Sequence, residues 1–465
     1  MASISSAGIG SGLDVNSIVS QLMAIERQPL NALQTKQTSI QTTVSEYGKV
    51  KSAISTLRDT ASKLAGSSLW GQTVSTSSNA AAVTSTTNGS VAGSYSVAVQ
   101  SLASVQTVAT GVYPTTTTTP GSGVLHIDLG AWGAGQTTFT GKVPIASADI
   151  TIAATDTLTD VRDKINAAGV GVTALIMTDA SGSRLLMRSN ITGAENGFRT
   201  SGIAGLDFDP SSGGAGMTQT QTAADAKATV NGLPVTSTTN AFVNIVDGLS
   251  LTLNAVTTSP VNVDVVADKD SLKKALTAFA EAYTAVNKLI AADTKYDPIT
   301  KKGGPLLADS AVSTLQSQLR SLVGQSSGAS AVFGRLSDVG LQLQADGSMT
   351  VNATKLDSAL VNLPELKKAF SNSNILDPSQ DGFGKKFRVL NDAMLAADGS
   401  LSSRSEGLSS QLTRNQKSQD DLNVRLAGIE KRLRAQYNAL DKRMAQITSS
   451  SSLVTQQIAA YNRNG

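Results

Sequence analysis

Apolar residues near the start of the chain fall at Ile18, Leu22 and Ile25, then at Ile40, Val44, Tyr47, Ile54, Leu57, Ala61 and Leu64. The steps are mostly threes and fours, the spacing of a helical face and of a coiled-coil seam. Asp14 or Asn16 can cap the first turn by accepting orphaned backbone N–H groups. Pro29 lacks an N–H and clashes one turn back, which divides the stretch into helices over about 15–27 and 30–65.

From Gln72 to about Ala267 a period of two replaces the helical one. Ser94–Val99 alternates, and Ala228–Val235 carries Asn231-Gly232, a preferred filler of tight hairpin turns. Val243, Ile245, Leu249, Leu251 and Leu253, then Val261, Val263 and Val265, continue the strand pattern. One departure is Ile150–Gly169, a strand running into a helix. Thr155 or Thr157 caps it, Leu158, Val161 and Ile165 face inward, and Gly169 stops it. A hairpin over 172–188 follows. Tyr113-Pro114, five threonines and Pro120-Gly121-Ser122-Gly123 read as a linker or hinge, and Asp209–Gly214 as a second breaker. The two bracket an inserted module.

Helix returns at Asp268, where Leu272, Leu276, Phe279, Tyr283, Val286 and Ile290 keep a strict seam. Another helix starts at Ser310, Asp346-Gly347 suits a hairpin turn, and short helices cover 356–360 and 364–370. The last helix runs from Leu401 to about Ile447 and on towards Tyr461. Its seam is Leu408, Leu412, Asn415, Gln419, Leu422, Leu426, Ile429, Leu433, Gln436 and Leu440, continued by Met444, Ile447, Val454 and Ile458. Ser449–Ser452 weakens it locally, and the polar seam positions can fix register at a cost in stability. The fold class expected is α+β: helical coiled-coil termini and a helical stalk, with an inserted β-rich head of two modules. The expected domains are 1–40 with 441–465 (terminal legs), 41–71 with 268–440 (stalk), 72–113 with 219–267 (inner head) and 114–218 (outer head).

Composition narrows the chemistry. The 465 residues contain no cysteine, which excludes disulfides, thiolate nucleophiles and sulfur-ligated metals. The single histidine, His126, excludes histidine-pair metal sites and most histidine-base catalysis. It shares a strand face with Asp128 but has no nucleophile beside it, so it reads as structural. Asp156, Asp160 and Asp163 fall at helical spacing, not in a calcium loop. Gly8–Gly12 has neither a preceding strand nor a Lys-Ser/Thr ending, so it does not read as a phosphate cradle. No catalytic, metal or cofactor site is expected.

Charged residues are only 16% of the chain. Residues 72–267 hold 7 Lys/Arg against 12 Asp/Glu, and residues 403–465 hold 10 against 5. The basic tail is sparser than a nucleic-acid-binding surface requires. With no run of 18 apolar residues, no membrane span is expected. The N-terminus lacks a charged segment followed by an apolar one, so no cleavable secretory signal is expected. Both ends carry long seams with too few comparable helices between them, so partner chains are expected to complete these surfaces in preference to pairing of the two ends.

The residues resemble those of a known family. Gly8-Ile9-Gly10-Ser11-Gly12-Leu13-Asp14 with Ile18-Val19, and Glu26-Arg27-Gln28-Pro29-Leu30, are similar to the N-terminal signature of the bacterial flagellar filament capping proteins, the hook-associated protein 2 family. Gly93–Ala103 resembles its first head strand, and Ile150–Leu175 the repeat shared by flagellins and hook-associated proteins. Ala228–Leu253 and Asp398–Leu440 extend the resemblance over nearly the whole chain.

The resemblance implies a homo-oligomeric ring, commonly of five subunits, at the distal filament tip, promoting insertion and folding of flagellin and preventing its loss. It implies contacts with flagellin and the hook-filament junction protein, export through the flagellar type III channel, and a chaperone on the C-terminal helix. On this reading Ile18, Leu22, Ile25, Ile447, Val454 and Ile458 supply leg and filament contacts. Pro29, Gly66 and the serine run act as joints. Val44, Tyr47, Ile54, Leu272, Leu276, Phe279, Tyr283, Leu422, Leu426, Ile429 and Leu433 form the stalk seam. The alternatives are an adhesin binding mucin or host glycans through the head and, more remotely, a carboxylate-based hydrolase.

Overall fold

The computed structural model describes residues 14–144 and 146–462, so the Gly8–Leu13 signature lies outside the described residues. The chain divides into two units, one from the N-terminus to Leu69 together with Asp270 onward, the other Trp70–Lys269. Helices dominate the first and antiparallel sheets the second, as an α+β chain requires.

In the first unit, α1 (Val15–Glu26) is capped by the Asp14 carboxylate, which accepts from Ser17 N at 2.9 Å. It leads through Arg27 into α2 (Gln28–Ala65), with Pro29 in the first turn, where its missing N–H costs nothing. The chain passes through the second unit, which holds α3 (Leu158–Ala168), and returns as α4 (Lys269–Thr294) and α5 (Ser310–Gly324). Then come the Leu341–Leu343 and Met349–Val351 hairpin, α6 (Ala353–Ala359), α7 (Leu363–Ser371), α8 (Phe383–Leu395) and α9 (Ser400–Tyr461). Ile40, Tyr47, Val50, Ile54, Leu57, Ala61 and Leu64 of α2 are buried, while Val44 is half-buried. Leu272, Leu276, Phe279 and Tyr283 of α4 are buried too, and Phe279 and Tyr283 meet Phe387 of α8 edge-on, at 4.9 and 6.2 Å between ring centroids.

One polar junction ties three distant segments of this unit together. The buried Asp309 carboxylate accepts from Tyr47 Oη on α2 and from Arg404 Nε on α9 at 2.9 Å, and caps α5 through Ala311 N and Val312 N. Burial opposes ionisation of Asp309, but the hydrogen bonds from Tyr47 and Arg404 outweigh it and hold the carboxyl below its usual range. Burial, then the Asp309 charge, push the Tyr47 hydroxyl upward.

The second unit has two cores. In the inner one, a sheet ordered Thr73–Ser77, Val261–Ala267, Gly93–Ser101, Ala226–Val230, Leu233–Ser237 shares its core with the sheet Ala241–Val246, Leu249–Leu253, Val83–Thr87. Alternation decides the faces: Val261, Val263 and Val265 are buried while Asn262 and Asp264 are exposed. Asn231 and Gly232 both take positive φ, 51° and 81°, in the hairpin turn.

The outer core lies between a six-stranded sheet built around Gly123–Trp132 and a four-stranded sheet ordered Met217–Gln221, Thr107–Thr110, Gly182–Ser189, Val172–Asp179. Leu125, Ile127, Phe198, Leu185 and Met187 fill it, with Leu158, Val161 and Ile165 from α3. Thr157 caps α3 in a capping box with Asp160, and Gly169 ends it at φ 61°. Asp156 pairs with Lys164, and Asp163 with Arg162, so the three aspartates build a helix end and not a shared site.

Two expectations about this unit need correction. Thr107–Thr110, placed with the inner module by sequence, pairs with Gly182–Ser189 and Met217–Gln221, so the hydrogen-bonded boundary sits at the Ser104–Ala224 bridge. The threonine tract is not a free linker. The Thr118 carbonyl accepts from Leu158 N at 2.9 Å, satisfying a first-turn donor of α3, and Pro120 is buried.

His126 bridges two strands: Nδ1 meets Asp149, and Nε2 lies 2.9 Å from Asp128 Oδ1. Asp128 also accepts from Arg199 Nε at 3.0 Å, so the imidazole belongs to a surface ion-pair chain. The Asp149 hydrogen bond, offset in part by desolvation, raises the His126 pKa above the ordinary histidine value. The stability it contributes is therefore full below the ordinary value and is lost as pH rises through the folded value. NMR titration of this sole imidazole should give a raised pKa, and Asp149→Asn should bring it back towards the ordinary one.

Candidate interaction surface on the terminal helices

The two ends of the chain meet in the first unit. Lys51 Nζ donates to Ser402 Oγ at 3.2 Å, Gln37 Nε2 to Gln416 Oε1 at 3.0 Å, and Arg434 Nη1 to Asn16 Oδ1 at 3.1 Å. Rising numbers on α9 pair with falling ones on α2 and α1, so the helices are antiparallel. Of the polar seam positions, Asn415 and Gln419 are buried, and Gln419 Nε2 donates to Asn415 Oδ1 at 2.6 Å and to Gln37 Oε1 at 2.9 Å. Their hydrogen bonds fix the register of α2 on α9 within one chain.

Beyond this polar layer, Val15, Val19 and Met23 of α1 are buried with Leu426, flanked by half-buried Leu30, Leu422, Ile429, Leu433 and Tyr437. The inward face of α1 is thus offset by one residue from the expected one. Ile18 and Leu22 lie half-buried on its shoulder and Ile25 is exposed. The signal was present in the sequence, since Val15, Val19 and Met23 also step by four, but Ile18-Val19 and Leu22-Met23 are adjacent apolar pairs that leave the face ambiguous. The expectation that the ends wait only for other chains is corrected by this pairing: α1 covers α9 as far as Tyr437.

Past Tyr437 the stripe on α9 is uncovered among the described residues. Leu440, Met444, Ile447, Val454 and Ile458 are exposed, the last three by 61%, 53% and 56%. The helix rises 1.5 Å per residue, so residues 438–461 extend about 36 Å. The serine run does not break it. Ser449 Oγ donates to the Gln446 carbonyl and Ser452 Oγ to that of Ser449, so the hydroxyls bond back along an intact helix. Pro29 is exposed, and Gly66 follows α2 in an extended conformation (φ −76°, ψ 155°). The charged residues between Tyr437 and Tyr461 are Asp441, Lys442 and Arg443. Burying one such aliphatic side chain contributes ~1.5–3 kcal/mol, so three or four make a firm but exchangeable contact.

Among the described residues no group of three His, Cys, Asp or Glu side chains could hold a metal ion, and no helix is long and apolar enough to cross a membrane.

Comparison with known proteins matches three sequence families. The one described as "Flagellar hook-associated protein 2 C-terminus" covers residues 223–449, "Flagellar hook-associated protein 2 N-terminus" covers 11–106, and "Flagellin hook IN motif" covers 138–190. The flagellar hook-associated protein 2 of Escherichia coli strain K12 is 30% identical over 479 residues, spanning 98% of each chain. The A-type flagellar hook-associated protein 2 of Pseudomonas aeruginosa is 29% identical over 485 residues, spanning 97% of each. Among solved structures, the D1-D2-D3 domains of the flagellar cap protein FliD from Escherichia coli superpose with a TM-score of 0.58 at 26% identity, covering 78% of this chain and 99% of that one.

Proposed function

This chain belongs to the flagellar hook-associated protein 2 family, and from that premise we propose that it caps the distal tip of a bacterial flagellar filament. It is a structural protein and not an enzyme. It works outside the cell, reaching the tip through the flagellar export channel. Copies of the chain assemble as a ring, five in number on the family's pattern, that holds back flagellin, promotes its folding and admits it to the growing end.

The observation that carries this reading is the uncovered stripe of α9 beyond Tyr437. A protomer that pairs its own ends through Val15, Val19, Met23 and Leu426, yet leaves Ile447, Val454 and Ile458 bare, presents a surface suited to a neighbouring polymer. The segments 1–40 and 441–465 act as legs on flagellin and on the hook-filament junction protein, pivoting at Pro29 and Gly66. Segments 41–71 and 268–440 form the stalk, and the two β modules form the plate. Ile18, Leu22 and Ile25 add contacts from the outer side of α1. Before export a chaperone covers the C-terminal helix. A ring whose subunit number differs from the lattice repeat cannot seat all its legs equivalently, so one gap opens at a time. The adhesin reading draws no support from these matches.

Electron microscopy of filaments grown by cells lacking the chain, with purified protein added, tests the proposal. Plates at the tips and renewed growth on addition of flagellin are expected. Protein scattered along filament sides, with no recovery of growth, would overturn it.

A further inference from the structure

Residues 295–308 leave the end of α4, turn through the short hairpin Tyr296–Asp297 with Lys302–Gly303, and reach α5. Each end of this segment rests on an aspartate facing α2. At the far end Asp309 accepts from Tyr47. At the near end stands Asp293, only 8% exposed and within the field of Glu46, the residue before Tyr47. Between these ends Lys301 and Ala308 take left-handed backbone, φ 55° and 64°, where a Cβ is disfavoured. The segment is therefore held by its attachments more than by its own preference. Its outer side presents Tyr296 and Ile299 among Lys295, Lys301 and Lys302, all exposed.

The inner side lies directly on Asp293. Leu306, which is buried, donates its N–H to the Asp293 carbonyl at 3.0 Å, and a Cβ on Gly304 would overlap that carbonyl. The Asp293 carboxylate is poorly served. Its Oδ2 and the Oε2 of Glu46 are both buried without a hydrogen-bond partner. The charged groups acting on it are Glu46 and Lys49, both on α2, and Lys49 Nζ is already engaged with Glu46 Oε1 at 2.9 Å. Asp293 also sits in the last turn of α4, where the unpaired carbonyls make the field negative. Burial, then the Glu46 charge, push its carboxyl above the usual carboxylate range, and Lys49 offsets only part of this. One added proton removes the buried charge and turns an orphaned acceptor into a donor.

We propose that residues 295–308 form a strap that protonation of Asp293 tightens onto α2 and ionisation of Asp293 loosens, uncovering Leu306 and freeing the Tyr296–Lys302 tip. The closed strap keeps its proton to higher pH than the open one does. Its stability is therefore full below the ordinary carboxylate value, about pH 4, and falls as pH rises through the closed-state value. Asp309 acts in the opposite sense, losing its contribution in stronger acid. The strap is held best in mild acid, between the two titrations, and at neutral pH it is poised to open.

Hydrogen–deuterium exchange of the full-length protein, corrected for the intrinsic pH dependence of amide exchange, reads the strap directly. In the parent, protection of the peptide containing Gly304 and Leu306 should fall severalfold between about pH 4.5 and pH 7.5. Asp293→Asn keeps the shape without the charge. It should hold that peptide protected at both pH values and melt above the parent at neutral pH, the difference shrinking in mild acid. Glu46→Gln removes the neighbouring charge and should move the parent's transition to lower pH without abolishing it. A parent strap equally protected at both pH values, or an Asp293→Asn chain that keeps the parent's pH dependence, overturns the proposal.

Discussion

A chain carrying Ile447→Asp, Val454→Asp and Ile458→Asp together should melt at the parent temperature and fail to cap filaments. The three side chains are more than half exposed in the protomer, so no intramolecular packing is lost. In the assembled cap each would place a carboxylate where an aliphatic group was buried, forfeiting ~1.5–3 kcal/mol and adding the cost of desolvating a charge. Over three sites that exceeds ~5 kcal/mol, a loss of more than a thousandfold in affinity. Motility-agar swarming and filament length by microscopy read the loss, while circular dichroism reads the unchanged melting. Leu426→Asp should instead lower the melting temperature, because it strikes the buried cluster with Val15, Val19 and Met23 and weakens the α1–α9 pairing itself. If the triple variant swarms normally, the legs do not act through this stripe.

The second large effect is expected at Asp309. Asp309→Ala removes the cap of α5 and leaves the Tyr47 hydroxyl and the Arg404 guanidinium without their shared acceptor. Loss of a cap costs ~0.5–2 kcal/mol, and breaking one side of a buried ion pair ~3–5 kcal/mol. Arg404 is partly exposed, which moderates the second figure, so the expected total is ~3–5 kcal/mol. Urea denaturation measures it. The effect carries a pH signature. The folded carboxyl titrates below its unfolded value, so its stabilisation is present above about pH 4 and disappears as pH falls through the folded value. Parent and variant stabilities should therefore converge under acid conditions and differ most near neutrality.

Much of this architecture is legible in the residues because period reports environment. The strict seam of α4 and the alternation of Val261, Val263 and Val265 each place their side chains correctly. Helix α8 is not visible in the same way. It begins Phe383-Gly384-Lys385-Lys386, and a glycine in the first turn argues against helix. The packing explains that glycine: a Cβ on Gly384 would stand 2.8 Å from Ala65 N and 3.0 Å from the Ala61 carbonyl, so only glycine lets α8 lie against α2. Tertiary contact overrides local preference there, and no single sequence announces it. The threonine tract misleads for a related reason. Its composition fits a linker, but its function in the fold rests on the backbone carbonyl of Thr118, which any residue would supply. On the terminal helices the sequence shows that a stripe exists but not how far the partner helix reaches along it. That limit is set by where Asn16 meets Arg434 and the Val15 cluster meets Tyr437, a matter of register between segments more than four hundred residues apart.

The Ser104–Ala224 bridge has a consequence for how such a chain can diversify. The strands leaving and rejoining the inner sheets run side by side there, with Ser104 N donating to the Ala224 carbonyl at 2.9 Å and Ala224 N to that of Ser104 at 3.2 Å. Residues between them leave and return through this doorway, and the outer module is held to the inner one beside it by Gly193 N on the Ser104 carbonyl, Thr192 Oγ1 on the Thr238 carbonyl and Ala194 N on Asp225. Cargo of another size, whether a shortened hairpin, a larger decoration or a fluorescent reporter with neighbouring termini, can be grafted at that doorway without shifting the register of any strand beneath it.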